Sequence, residues 1–91
     1  MKFTIAKANQ ALAVEDIEGL ISAGAPADEY QDEAAQLVAA LDKIDHSLVT
    51  EDLIFALLSV IWSQYFELPE EELALRIPAL LRVSQAILQS A

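Results

Sequence analysis

A chain of 91 residues holds 15 acidic side chains against 5 basic ones, a formal net charge of -10, while 55% of it is hydrophobic and its mean hydropathy is +0.36. A disordered acidic tail is poor in apolar residues and a membrane helix needs an unbroken apolar run of about 20, so neither class fits. What remains is one folded domain spanning residues 1–91, and with 16 Ala, 14 Leu, two Gly and three Pro it is expected to be all-helical.

The apolar positions Ile5, Ala8 and Leu12 recur at helical spacing and predict a first helix over Phe3 to Ala13. No proline stops it there, so its continuation through Ile17, Leu20 and Ile21 stays open. Gly24-Ala25-Pro26 is a firm break, because the residue before a proline is pushed out of the helical region. Beyond it, Ala27, Tyr30, Ala34, Leu37, Val38 and Leu41 share a face and predict a second helix from about Ala27 to Ile44. Asp28, Glu29, Asp32 and Glu33 crowd its start, where carboxylates complement the positive end of the helix dipole.

Thr50 is a plausible N-cap for a third helix over about Glu51 to Phe66, with Glu51 and Asp52 in the first turn and Val49 placed to staple onto Ile54. Between Asp52 and Glu67 lie 14 residues without a formal charge. At about 100° per residue, Phe55, Trp62 and Phe66 form one stripe and Ile54, Leu58, Ile61 and Tyr65 the next. A helix apolar over most of its circumference is expected at the centre of the fold. Leu68-Pro69-Glu70-Glu71-Glu72 opens a fourth helix, whose apolar face runs from Leu73 to Leu88. Pro78 interrupts it, at a cost of about 3 kcal/mol in a continuous helix, so this segment is kinked or split near Pro78. The expected fold is a small single-domain bundle of four main helices.

Charge and composition narrow the chemistry. Lys2, Lys7, Lys43, Arg76 and Arg82 form no basic patch in the sequence, which argues against nucleic acid and anionic membrane as partners. With no cysteine there are no disulfides, thiolate metal sites or cysteine nucleophiles. Lys7, Asn9 and Gln10 interrupt what would be the apolar core of a secretion signal, and the expected location is cytoplasmic. His46, between Asp45 and Ser47, is the only histidine and reads as an ordinary loop residue; a divalent metal held with Asp42 and Asp45 lacks any recognised ligand spacing. No catalytic, cofactor-binding or metal-ligating residue is expected.

Two features point to surfaces. Asp28, Glu29, Asp32 and Glu33, around Tyr30, join Glu15, Asp16 and Glu18 to make seven carboxylates with no intervening cation. The simplest reading is a solvated helix start; the functional readings are a docking face for a basic protein or, less specifically, a hard-cation site, although the twelve-residue calcium loop is absent. Phe55, Trp62 and Phe66 read either as core alone or as core continued into an interface, because a small domain struggles to cover so apolar a helix.

Val14-Glu15-Asp16-Ile17-Glu18-Gly19-Leu20 followed by Gly24-Ala25-Pro26-Ala27-Asp28-Glu29-Tyr30 resembles the YugE-like family of small bacterial proteins, which carries a Trp-Asp-Pro-Ile-Gly-like turn and then a Gly-x-Pro-x-Asp-Glu-Tyr-Asp segment. Val14, Glu15 and Asp16 stand where that family has Trp, Asp and Pro, and Gln31 where it has Asp. The resemblance implies a small all-α fold without an assigned activity. It also implies a fixed junction over Gly24 to Tyr30, with Pro26 setting the turn and Asp28 capping or salt-bridging. The expectation for function is therefore a non-enzymatic interaction or regulatory module that self-associates as a homodimer, with an acidic immunity-type inhibitor of a basic toxin domain as the alternative.

Overall fold

Thr4 arrives extended and starts the first helix, its hydroxyl accepting the Lys7 amide at 3.2 Å. In the computed structural model, which describes residues 2–91, this helix α1 spans Ile5–Glu15. It stops because Asp16 turns into the left-handed region at φ 44°, a conformation that aspartate tolerates better than most residues. The question of its continuation is thereby settled at Glu15. Residues 16–30 are a series of turns, with Gly19 at φ 70° and Gly24 at φ 115° where a side chain would be strained.

Helix α2 covers Gln31–Leu41 and is shorter at both ends than the sequence predicts. Before it, Glu29 bonds back to the Pro26 carbonyl and Gln31 to that of Asp28, three-residue turns rather than helical spacing. Asp28 and Glu29 therefore precede the helix instead of lying in it. At the other end Lys43 and Ile44 also bond back three residues, to Ala40 and Leu41, so the last turn tightens and ends. A short 3-10 turn, His46–Leu48, is opened by the Asp45 carboxylate accepting the Ser47 amide at 2.9 Å.

Helix α3 spans Glu51–Tyr65, with Thr50 capping it as predicted by accepting the Leu53 amide at 3.2 Å. Glu67, at φ 49°, reverses the chain into α4, Glu70–Leu75, and then α5, Ile77–Ser90. The expected fourth helix is thus split into two. Pro78 stands second in α5, where its missing N–H costs nothing; in a continuous helix its ring would collide with the Ala74 carbonyl.

The described residues are all-α, with five α-helices of which four are long. These four close a ring: α1 packs on α2 and α5, and α3 packs on the same two from the opposite side, with short α4 against α3 and α5. The expectation of a central α3 is corrected by this arrangement, since every long helix shares in one core and keeps one side to solvent. The core is built from Leu12 of α1, Leu37 and Leu41 of α2, Ile54, Leu58 and Trp62 of α3, and Leu80, Val83 and Ile87 of α5, joined by Phe3 and Tyr30. No helix is long and apolar enough to cross a membrane among the described residues.

Candidate functional site

The densest polar structure lies where the residue 16–30 turns meet α3 and the α4–α5 break. Asp16, having ended α1, reaches forward: its carboxylate accepts the Ile21 amide at 3.1 Å, the Ser22 amide at 2.9 Å and the Tyr30 hydroxyl at 2.7 Å. Tyr30 is fully buried, and its oxygen in turn accepts the Glu18 amide at 3.2 Å. The Tyr30 hydroxyl and the two amides hold the Asp16 carboxyl down to about 2, while burial, helped by Asp16, pushes Tyr30 up to about 12.

Glu18 continues the chain of contacts. One oxygen accepts the Trp62 indole N–H at 2.7 Å and the Arg76 Nε at 2.6 Å, and the other accepts Arg76 Nη2 at 2.9 Å. The remaining guanidinium nitrogen donates to the Glu72 carbonyl at 2.7 Å. The Arg76 fork lowers the Glu18 carboxyl below its ordinary range, and the indole N–H adds to that. Tyr30 and Trp62 stack as tilted rings 5.7 Å apart, and Trp62 meets Phe66 at 5.0 Å. Every polar end in this network is directed at another protein group. It fixes the turns, the middle helix and the split helix to one another and offers no free base, nucleophile or ligand set.

The sequence-predicted site residues fall into three groups. Tyr30 and Trp62 are completely enclosed and Glu33 is buried, so none of the three presents a surface to a partner. Phe55 and Phe66 are half-buried and packed against the core. Asp28, Glu29 and Asp32 remain exposed. Among the described residues the cap or salt bridge implied for Asp28 is not formed: α2 has no side-chain cap, and the ion pairs join Arg76 to Glu18 and Glu72 and Arg82 to Glu15. Asp16 instead holds the turns ahead of α2, through the Ile21 and Ser22 amides.

Sequence reasoning grouped Asp16 and Glu18 with the acidic cluster and left Arg76 as one of five scattered cations. A usable signal existed. A buried Tyr and a buried Trp each need a partner for the hydroxyl or the indole N–H, and an acidic stretch without its own cations is where such partners stand.

His46 is exposed, with its ring edge-on to Phe3 at 5.3 Å. Among the described residues no group of three or more His, Cys, Asp or Glu side chains is placed to hold a metal ion.

The outer surface of α3 is the other notable feature. Ala56, Val60 and Gln64 share the side turned away from the core; Val60 is 55% exposed, Leu53 beside it is half-buried, and Leu57 reaches back to pack against the core. A shallow cleft of about 310 Å³ runs beside it, lined by Ser59, Val60, Ser63, Gln64 and Leu73. No charge interrupts this stripe between Asp52 and Glu67. The chain matches no protein-family model, no curated protein and no solved structure.

Proposed function

We propose that the protein is a non-enzymatic interaction module that pairs with a second copy of itself through the outer face of α3. The observation that carries this reading is the uncharged stripe through Leu53, Ala56 and Val60 on a molecule of net charge -10. Two such acidic chains repel wherever carboxylates face each other, and the repulsion reaches over about 10 Å at 0.1 M salt. The α3 face is where a second, equally acidic copy approaches with least repulsion and most apolar contact. A two-fold pairing buries the same stripe on both partners. The interface moves accordingly from the Phe55, Trp62 and Phe66 stripe, which the fold uses for its own core, to the neighbouring Val60 stripe.

Sedimentation or light scattering of the purified chain tests this reading. The expected result is a dimer that Val60→Glu converts to a monomer with unchanged helicity; a wild-type monomer at high concentration overturns it.

A second reading is favoured by one observation: Asp28, Glu29 and Asp32 are exposed at a single junction, and no ion pair among the described residues holds them. This is a surface for a basic protein, as an acidic immunity-type inhibitor would need, and carboxylates there speed association and reject wrong partners. Salt separates the two. Added salt weakens docking on a basic partner steeply, whereas it strengthens the pairing of two acidic chains across an uncharged face.

A further inference from the structure

A cleft of about 420 Å³ lies elsewhere, between α1 and α5. The two helices are antiparallel: Lys7 near the start of α1 donates from Nζ to the Ser90 carbonyl near the end of α5 at 2.9 Å, and Glu15 at the end of α1 accepts from Arg82 Nε at 2.9 Å. Eight residues separate the two bridges on either helix, about 12 Å at 1.5 Å per residue. Between them Ala11 and Ala86 leave room that larger side chains would fill, with Val83 beneath and Val14, 76% exposed, along the rim.

The charge of this slot is opposite to that of its molecule. Two of the five basic residues line it, against one carboxylate. Each cation also has donors to spare. Nε is the one Arg82 nitrogen in a hydrogen bond among the described residues, the side chain is 57% exposed, and Lys7 uses a single bond to Ser90. Arg76, by contrast, commits all three nitrogens to the network described above. A guanidinium with its terminal fork free is suited to a planar carboxylate, which takes two parallel bonds from it. The volume lies in the lower part of the range for small-molecule clefts, about 300–1,000 Å³.

We infer that the slot between α1 and α5 binds a small amphipathic carboxylate, its head on the free fork of Arg82 and its aliphatic chain over Ala11, Val83 and Ala86 toward Lys7. This site is independent of the α3 face, and occupying it leaves the pairing of two copies unchanged.

Decanoate is the probe, titrated below its micelle concentration into the isotopically labelled full chain, with sodium chloride matching the ionic strength. The expected result is saturable movement of amide resonances over residues 7–15 and 82–90. Arg82→Gln weakens the effect about tenfold, the scale of a hydrogen bond to a charged group, and Ala86→Phe, which fills the slot from an exposed position, removes it. Circular dichroism verifies that both variants keep the wild-type helicity. Decanol, with the same chain and no charge, binds at least about tenfold more weakly on the same grounds.

Resonance movement centred on α3, no saturation, equal binding by Arg82→Gln, or equal binding of decanol each overturns the inference. Phosphatidylglycerol vesicles distinguish a free acid from a membrane surface: the slot resonances are expected to stay unmoved, and binding to vesicles without a response to decanoate overturns the inference as well.

Discussion

Glu33 is held against its chemistry, as Asn9 is at its own buried Oδ1. Glu33 sits in the first turn of α2, 7% exposed, and its Oε2 has no hydrogen-bond partner among the described residues. Burial pushes its carboxyl up, and the nearby carboxylates of Asp32 and Glu29 push the same way. A buried acceptor without a partner costs about 1–3 kcal/mol. Replacing it with an apolar side chain of similar length, Glu33→Met, is therefore expected to raise stability by about 1–3 kcal/mol at neutral pH, roughly 4–8 °C in Tm per kcal/mol for a domain of this size. Because the folded carboxyl binds its proton more readily than the unfolded one, the native state carries the penalty of the ionised form at neutral pH and sheds it in acid. The gain from Glu33→Met should shrink accordingly as pH falls toward 4. Thermal melts at both pH values check this, and a variant less stable than wild type at pH 7 refutes it.

Asp16 shows the opposite use of a carboxylate at the same scale. Three donors converge on it, and Asp16→Ala removes the acceptor for all of them, leaving the O–H of buried Tyr30 with no group to donate to. The expected result is a lower Tm together with a Tyr30 phenol that titrates closer to its ordinary value, because one of the two main causes of its rise is gone. Spectrophotometric titration of the tyrosines distinguishes this from a merely local loss of packing.

At the scale of the helices, the starts marked by a hydroxyl behave as their sequence suggests. Thr4 and Thr50 both accept the amide three residues on, and Thr50→Ala is expected to cost about 1 kcal/mol, read as a shift in denaturant midpoint without a change in slope. The third helix and the split at Pro78 were legible for that reason: capping and the proline ring act locally, within a turn of the residue that causes them. The bounds of α1 and α2 were not. Asp16 ends α1 through contacts with Ile21, Ser22 and Tyr30, five to fourteen residues away, and no helical period encodes those. The same limit explains the site residues. Periodicity places Phe55, Trp62 and Phe66 on one stripe but cannot say that Tyr30 and Glu18 will cover Trp62. It follows that the stripe left over on α3 is the one through Val60.

For the whole molecule, fifteen carboxylates are set against five cations, and two of these cations, Arg76 and Arg82, account for every side-chain ion pair among the described residues. Most of the negative charge is thus unpaired at the surface, and self-repulsion opposes the compact state at neutral pH. Stability should rise with added salt, which screens that repulsion. It should also rise as pH falls from 7 toward the isoelectric point near 4.1, with Glu33 contributing in the same direction because its raised carboxyl favours the proton in the native state. Below that the sign reverses. Asp16, lowered from 3.8 to about 2, stabilises the fold only while ionised, so its contribution is complete above about pH 4 and is lost as pH falls toward 2. The lowered carboxyl of Glu18, paired with Arg76, is lost on the same side. The Tyr30 phenol, raised from 10.0 to about 12, acts at the other extreme: its contribution is complete below pH 10 and disappears as pH rises toward 12. The stability maximum is therefore expected between about pH 4 and 6, below neutrality, and adding salt at pH 7 should recover part of the difference. Thermal midpoints across pH 2 to 12 at low and at 0.5 M salt test this; a midpoint that falls steadily from pH 7 to pH 5 would show that paired carboxylates, rather than repulsion among the unpaired ones, govern the stability of this chain.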